Sequence, residues 1–362
     1  MVSGHTESLA DMRIVVTGAT GNVGTSVVRA LAADPRVEEI VGLARRLPRR
    51  ESPRTRWVQA DVAVTPLEPI FAGADAVIHL AWLIQPSRDL EALEAVNVLG
   101  SRRVFEAAAA AGAGALVHAS SVGAYSPGPK DRRVDETWPT DGIPTSFYSR
   151  HKAACERALD ELEARHPQLR VARLRPALVF KREAAQEIRR LFAGPLLPSP
   201  LLRPALIAFL PVVERLVIQA VHGDDVGEAY RLAATDPTAR GAYNIAAEPV
   251  LGPAELGRLL GARTVKVPVK ALRAAAAATW RARLQPTPAG WLDMGLGVPV
   301  MDTRRAREEL GWTPRHAAGD TLLELLEGMR DRAGADTPPL DPRAGGPLRV
   351  REFLTAVGRV SP

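Results

Sequence analysis

The chain has little cysteine, little lysine and few aromatic residues. Its 362 residues include one cysteine, Cys155, so an intrachain disulfide is excluded. Of the 47 basic residues, 5 are lysine and 42 are arginine, and aromatic residues make up 5%. The arginines are spread among acidic residues, and no basic run is combined with aromatic residues that could stack on bases. The net charge of +6 therefore does not indicate nucleic acid as the main partner.

The sequence also lacks an uninterrupted apolar run of the length that a membrane span needs. Its most apolar stretch, residues 205–221, contains Pro211, Glu214 and Arg215. Residues 1–10 are polar and do not have the apolar core of a signal peptide. We therefore expect no membrane insertion and a cytoplasmic location.

Short apolar runs alternate with longer helical patterns through the first two-thirds of the chain. This alternation predicts β-α units and a parallel sheet. The predicted strands are residues 13–16, 39–44, 56–60, 76–80, 115–119, 171–174 and 242–245. The predicted helices between them are residues 23–33, 90–111, 147–165 and 226–234. The expected fold class is α/β, a Rossmann-type doubly wound parallel sheet with a smaller, mostly helical C-terminal substrate domain.

The pattern changes after about residue 180. Residues 181–221 are rich in leucine and proline and are expected to be helical, and 251–330 suggest helices with short strands at most. We predict a first domain at 11–180, to which the chain returns at 222–247. A substrate domain comprises 181–221 and 248–331. The tail, 332–362, is rich in Gly, Pro and Arg, and is expected to be loosely ordered or draped over the body.

A glycine-spaced loop, TGATGNVG, follows the first predicted strand and opens the first predicted helix. One glycine permits the tight turn, another lets the backbone approach a pyrophosphate, and a third allows close packing of helix on strand. The helix N-terminus supplies amide groups and a positive dipole end. The loop therefore predicts a dinucleotide site at Gly18, Thr20, Gly21, Asn22, Val23 and Gly24.

The end of the second strand indicates which dinucleotide binds. An acid at this position would bind the 2′-hydroxyl of NAD. The chain has Ala44 there, followed by Arg45 and Arg46. A guanidinium suits a 2′-phosphate in charge and geometry, so the prediction is NADP, with NAD as the alternative.

Tyr148 and Lys152 are four residues apart and share one face of a predicted helix. A lysine charge and an oxidised nicotinamide both stabilise a phenolate and bring a tyrosine pKa toward the working range. Ser120 and Ser121 follow a strand at the sheet edge where open α/β sheets bind ligands. Such a hydroxyl would hold a substrate oxygen.

This order of motifs resembles the extended short-chain dehydrogenase/reductases, the NAD-dependent epimerase/dehydratase family, over roughly residues 12–330. Further matching segments are Asp61-Val62, His79-Leu80-Ala81, Asn97 to Gly100, Arg175-Pro176, 221–226 and 310–314. The resemblance implies that Ser121, Tyr148 and Lys152 are catalytic. It implies cofactor contacts at Tyr148 and Lys152 and at Asp61, Val62, Leu80, Ala81, Asn97, Arg175 and Pro176. It also implies that the Tyr148 helix can join a homodimer interface.

Three histidines could be mistaken for acid–base groups. His79 and His118 end apolar strands and are expected to be packed or hydrogen-bonded, and His151 lies on a different helix face from Tyr148 and Lys152. The spacing of His, Cys and acidic residues does not suggest a metal site.

The substrate segments depart from those of the sugar-nucleotide members of the family. Leu178 stands where those members have asparagine, no Gly-Pro turn follows, and residues 82–86 are apolar. The predicted substrate-lining residues are Trp82, Leu83, Ser120, Leu178 and Phe180. Such a pocket favours a mainly apolar ketone or secondary alcohol, because sugar hydroxyls would lose hydrogen bonds there. The alternatives are a nucleotide-sugar epimerase or dehydratase with transient hydride transfer and a non-catalytic dinucleotide-sensing protein.

Overall fold

The structure is a computed structural model that describes residues 11–49, 51–193 and 209–344. Part of the predicted substrate domain, 194–208, lies outside the described residues. So do residues 1–10 and the 345–362 part of the predicted tail.

Seven parallel strands form the central sheet, in the order β11-β7-β5-β4-β1-β2-β3. They are β1 Met12–Thr17, β2 Val37–Ala44, β3 Thr55–Gln59, β4 Ala76–His79, β5 Ala115–Ala119, β7 Arg170–Pro176 and β11 Gly241–Ile245. The register aligns Ile14 with Ile40 on one side and with Ala76 on the other. Because every neighbour is parallel, the C-terminal ends of the strands meet at one edge of the sheet. The predicted fold class is confirmed.

In the described part of the chain, twelve α-helices surround the sheet and extend beyond it. They are α1 Asn22–Ala32, α2 Glu68–Phe71, α3 Leu90–Glu94, α4 Ser101–Ala110, α5 Phe147–Arg165, α6 Ala185–Ile188, α7 Gly223–Thr235, α8 Pro253–Leu260, α9 Val269–Arg281, α10 Gly290–Gly297, α11 Arg304–Leu310 and α12 Ala318–Asp331. A π-helical segment, Ala95–Gly100, joins α3 to α4, so the helix predicted at 90–111 is nearly continuous.

Both faces of the sheet are covered, as expected for a sheet of near-continuous apolar strands. On one face Ile14 and Val16 pack against α1, α7 and α11. On the other, Val15 and Val77 pack against α2, α4 and α5. The alternation of side chains along β1 thus serves two separate cores.

Short strand pairs lie outside the main sheet. These strands are β6 Arg133–Val134, β8 Leu178–Phe180, β9 Phe209–Val212, β10 Ala220–His222, β12 Arg263–Lys266 and β13 Val300–Met301. β8 pairs with β10, β9 with β12, and β6 with β13. The helical expectation for 181–221 therefore holds at 182–193 but is wrong at β9 and β10. Both of these segments find a parallel partner strand.

The last described residues pack on the body. Leu340 is fully buried, and the Thr337 hydroxyl donates to the Thr20 carbonyl of the glycine loop at 2.9 Å. Arg190 donates to the carbonyls of Pro339 and Asp341. Within the described ranges, no helix combines the length and the hydrophobicity that crossing a bilayer requires.

Candidate active site

The glycine loop is shaped by two close backbone approaches. Gly18 has a φ of 71°, and a Cβ there would lie 2.7 Å from the Ala81 nitrogen. A Cβ on Gly24 would lie 2.3 Å from the Gly18 oxygen. The first approach fixes the loop against the segment after β4, and the second seats α1 on the loop.

The start of α1 is open to an anion. Its N-cap residue is Gly21, which has no side chain to satisfy the first amide groups of the helix. Asn22 turns its side chain away from these amides and donates to the Val179 carbonyl at 3.1 Å. Unsatisfied amides at a helix N-terminus, beside a loop that only glycine can form, fit the pyrophosphate of a dinucleotide.

Residues predicted to hold the adenosine end lie at the ends of β2 and β3. Arg45 and Arg46 follow β2, and both are exposed. The Asp61 carboxylate accepts from the Ala63 amide at 2.9 Å, which fixes the turn after β3. Val62 is buried, and its side chain faces Gly100 at the end of the π-helical segment.

The segment after β4 is held by Asn97. Its side-chain oxygen accepts from the Leu83 amide at 2.7 Å, and its amide group donates to the Leu83 carbonyl at 2.8 Å. Leu80 is tied to the glycine loop, since its amide donates to the Thr17 carbonyl at 3.1 Å. Asn97 is therefore a positioning residue for the loop that carries Trp82.

The structure brings Ser121, Tyr148 and Lys152 together at the C-terminal end of β5. The Ser121 hydroxyl accepts from the Gly123 amide at 3.0 Å, and it lies near enough to Tyr148 to lower the pKa of the phenol. Lys152, one turn further along α5, donates to the Ala119 carbonyl at 2.6 Å. The three side chains thus lie close together at the sheet edge, the arrangement in which they could act on one substrate.

Burial shifts both titrating groups of this triad. It raises the pKa of Tyr148, and the hydrogen bond with Ser121 opposes that rise. Burial lowers the pKa of Lys152 to about 7. The Lys152 Nζ lies 5.8 Å from the centre of the Tyr148 ring but only 3.3 Å from that of Trp82. The phenol is thus protonated at neutral pH and available as a proton donor.

Aromatic side chains surround Tyr148. The Trp82 ring lies 5.7 Å from the Tyr148 ring, and the Trp291 ring lies 4.9 Å from it, centre to centre. Phe192 packs edge-on against Trp291 at 4.9 Å. We call Trp82, Trp291 and Phe192 the aromatic group. The sequence interpretation found Trp82 and missed the other two, although aromatic residues are scarce enough in this chain to mark them.

Other predicted site residues belong to a buried ion network. The Ser120 hydroxyl donates to Glu156 at 2.5 Å, and Arg175 binds the same carboxylate at 2.8 and 3.0 Å. Arg173 also contacts Glu156, at 3.1 Å. Pro176 ends β7 beside Ile245 of β11. Ser120 and Arg175 therefore stabilise the wall behind the triad.

Leu178 and Phe180 lie on β8, apart from the aromatic group. Leu178 is 38% exposed, while Phe180 packs against Leu322 and Leu325 of α12.

The histidines of strands β4 and β5, His79 and His118, are buried. His79 contacts the hydroxyls of Thr17 and Ser101, and burial lowers its pKa to about 3, so it is neutral.

His118 stacks on His79 at 5.5 Å, and burial lowers its pKa as well. His151 packs against the Phe147 ring at 5.9 Å. No group of three or more His, Cys, Asp or Glu residues within the described part of the chain could hold a metal ion.

A family model for the NAD dependent epimerase/dehydratase family matches residues 14–194, half of the chain. The chain belongs to this family. The match includes the glycine loop and all three residues of the triad. The description of the family names NAD as coenzyme and epimerases and dehydratases as its enzymes.

Several curated proteins are similar to this chain over only part of their own length. An uncharacterized protein of Mycobacterium tuberculosis is 26% identical over 325 residues, which cover 89% of this chain and 31% of that protein. A ceramide reductase of Caulobacter vibrioides is 39% identical over 125 residues, 32% of this chain and 36% of that one. An L-arabinose 1-dehydrogenase (NAD(P)+) of Haloferax volcanii is 40% identical over 110 residues, 30% of this chain and 41% of the relative. The chain thus spans about a third of the length of the mycobacterial protein.

Two solved structures have a similar fold. The dTDP-glucose 4,6-dehydratase of Streptomyces venezuelae, solved with NAD, has a TM-score of 0.63 and 22% identity, covering 88% of this chain and 97% of its own. The UDP-glucose 4-epimerase of Thermus thermophilus, also with NAD, has the same TM-score and identity, covering 88% and 99%. At this identity the likeness concerns the fold alone.

Proposed function

We propose that the protein is an NADP(H)-dependent oxidoreductase that transfers a hydride between the nicotinamide and a mainly apolar ketone or secondary alcohol. The observation that carries this proposal is the aromatic group around Tyr148. Aromatic surface binds apolar substrate well, whereas sugar hydroxyls placed there would lose hydrogen bonds to water.

Cofactor binding is assigned to the glycine loop and the ends of the neighbouring strands. The amides at the start of α1 hold the pyrophosphate, and Arg45 at the end of β2 pairs with a 2′-phosphate. The bound dinucleotide supplies or accepts the hydride. The exposed position of Arg45 leaves its guanidinium accessible to the 2′-phosphate.

Proton transfer is assigned to the triad. Ser121 holds the carbonyl oxygen through its hydroxyl, and Tyr148 donates its phenolic proton to that oxygen in reduction and accepts it in oxidation. Lys152, charged below about pH 7, stabilises the phenolate left on Tyr148. The raised pKa of Tyr148 keeps the phenol protonated before reduction and makes its phenolate the stronger base in oxidation.

Two indole groups add hydrogen-bond donors to the apolar surroundings. The ring nitrogens of Trp82 and Trp291 are buried and have no hydrogen-bond partner among the described residues. Each can donate to an oxygen of a substrate whose remainder is apolar. Two partial relatives, a ceramide reductase and an arabinose dehydrogenase, are named for net redox reactions, one on a lipid and one on a sugar.

The test compares substrates of similar size and different polarity. We expect NADPH to be consumed with a long-chain or aryl ketone and not with a ketose. Tyr148→Phe should lower kcat by about 10²–10⁴-fold while NADPH binding, followed by its fluorescence, persists. Tyr243→Phe is the matched control, because Tyr243 lies on the outer strand β11 and its hydroxyl contacts the Arg240 amide and the Glu309 carboxylate. Equal loss in both variants, or full activity of Tyr148→Phe, would refute the assignment.

The coenzyme preference has its own test. Arg45→Glu should weaken NADPH binding about tenfold or more and leave NADH binding little changed, because only the former carries a phosphate at the 2′ position. An unchanged ratio of the two affinities would reject Arg45 as the discriminating residue.

The second candidate function is a nucleotide-sugar epimerase or dehydratase, which the family assignment favours. Such an enzyme takes and returns the hydride within one turnover. Purified protein that retains tightly bound NAD and converts a nucleotide sugar without net consumption of coenzyme would replace the oxidoreductase proposal. A cytoplasmic location and a homodimer through α5 stay predictions.

A further inference from the structure

Positive charge is concentrated in one segment of the chain. Residues 256–292 contain seven basic residues and no acidic residue, which leaves 40 basic and 41 acidic residues elsewhere. The view that arginines are spread among acids therefore fails for this segment. The segment contributes +7 and the rest of the chain −1, so the net charge of +6 originates here.

All seven of these basic side chains are exposed. They lie on α8, β12 and α9 and in the turn that follows α9. Those without an ion-pair partner in the described ranges are Arg263, Lys270, Arg281 and Arg283. Lys266 approaches only Glu214, at 3.6 Å. We call the exposed side chains of residues 258–284 the basic face.

Apolar side chains are exposed among these cations. Val265 and Leu284 are 45% and 46% exposed, and Phe209, on the strand paired with β12, is 64% exposed. Helix α9 has no buried residue, and its outer surface is a row of alanines beside Lys270 and Arg281. Helix α9 therefore has a side that no part of the described structure covers.

The basic face is continuous with the wall of the active site. The turn after α9 contacts the aromatic group, since the Thr287 hydroxyl donates to the Phe192 carbonyl at 2.5 Å. Arg88, from the segment after β4, lies over the Trp280 ring at 4.3 Å. Gln85 donates to the Pro286 carbonyl at 3.3 Å. A molecule bound at the basic face would therefore lie next to the aromatic group.

We propose that the basic face binds the surface of an anionic lipid bilayer, with the chain remaining peripheral. Basic residues attract anionic headgroups, and exposed aliphatic groups gain free energy by entering the interfacial region. Nucleic acid fits less well, because among Val265, Leu284 and Phe209 only Phe209 can stack on a base, and the aliphatic side chains gain nothing from phosphates. This inference does not depend on the proposed function.

The test measures binding of the full chain to sedimented vesicles of phosphatidylcholine, with and without phosphatidylglycerol. We expect binding only when the anionic lipid is present, and weakening by added salt. Lys270→Glu with Arg281→Glu should lower the affinity about tenfold or more, since each basic residue near such a surface contributes about 1 kcal/mol. Arg307→Glu with Arg315→Glu is the control, because it makes the same charge change at exposed positions outside the basic face.

The outcomes separate this proposal from its rivals. Selective loss in the Lys270/Arg281 variant supports it. Failure of the unchanged protein to bind anionic vesicles, or equal loss in the control variant, overturns it. Tighter binding to a DNA duplex than to the vesicles, abolished by the same two substitutions, also overturns it in favour of a nucleic-acid surface. Turnover of a soluble ketone is a separate readout and reports on the proposed function alone.

Discussion

Charged side chains have opposite surroundings in the central sheet and on the basic face. Behind the triad, the Glu156 carboxylate is buried and bonded to Arg173, Arg175 and Ser120. On the basic face, cations such as Lys270 are exposed and without an acidic partner among the described residues. A charge enclosed by partners maintains the structure, whereas an unpaired exposed charge is available to another molecule.

The helices of the two regions differ in the same way. Helix α1 buries five residues against the sheet, so its position is fixed to the accuracy that a dinucleotide site needs. Helix α9 is longer and buries none. We therefore expect substitutions in the first region to change stability and geometry, and those in the second to change binding without changing stability.

The largest effect is expected from Glu156→Ala. Removal of this carboxylate leaves the buried Arg175 guanidinium without its ion-pair partner, whereas Arg173 keeps Asp160 and Glu163. The loss should cost about 3–5 kcal/mol in the free energy of unfolding. Glu161→Ala on the same helix is the control, because that exposed residue pairs with Arg102 on the surface and should cost at most about 1 kcal/mol. Chemical denaturation measures both. Similar losses would show that the network is not structural.

The same variant has a pH signature. The arginines hold the pKa of Glu156 at about 2, below its ordinary value of 4.5. The carboxylate therefore stabilises the fold above about pH 4.5, and this contribution is lost as the pH falls toward 2. Glu156→Ala should flatten the acid dependence of stability over that window.

A somewhat smaller effect is expected from a buried lysine. Lys181 donates to the hydroxyls of Thr25 and Ser26 beneath α1, and burial lowers its pKa to about 8. Because the unfolded chain binds more protons between pH 8 and 10.5, the unchanged protein should gain up to about 3 kcal/mol of stability across that range. Lys181→Met should lose this part of the gain and keep the part that comes from Lys152, whose pKa burial also lowers. Lys266→Met, at an exposed position of the basic face, should keep both parts.

The sequence predicts the features that depend on local patterns and misses those that depend on contacts between remote residues. Most of the seven strands could be predicted because they are apolar runs between turn residues, although β3 contains Thr, Arg and Gln. The spacing of Tyr148 and Lys152 is local and predicts that they share a helix face, whereas the role of Ser121 follows only from the resemblance to the family. The pairing of β9 with β12 was not found, because four-residue strands depend on a partner that is remote in sequence. Trp291 contacts Tyr148, and Phe192 contacts Trp291, only through tertiary packing. The roles of Ser120 and Arg175 depend on Glu156, which no motif marks.

Two glycines separate packing from cofactor binding. Gly24→Ala would bring a Cβ within 2.3 Å of the Gly18 oxygen and should cost about 1–3 kcal/mol in stability. Gly21→Ala would bring its Cβ no closer than 3.5 Å, so the fold should be kept. If the backbone at Gly21 approaches the pyrophosphate, this variant should still lose coenzyme affinity. Thermal unfolding and coenzyme fluorescence measure the two effects, and unchanged affinity in Gly21→Ala would place the pyrophosphate elsewhere.

The smallest effect is expected on the basic face itself. Arg281→Gln removes an exposed cation that has no ion-pair partner in the described ranges, so stability should change by no more than about 0.5 kcal/mol. Arg170→Gln is the matched substitution in the sheet, where the guanidinium donates to the carbonyls of Ala233, Ala234 and Ala239 at the end of α7. Arg170→Gln takes one donor from each of these three carbonyls, and should cost about 1–3 kcal/mol in the free energy of unfolding. Denaturation of the two variants side by side tests the contrast, because a marked loss in Arg281→Gln would mean that the basic face is held by its charges and is not free for a partner.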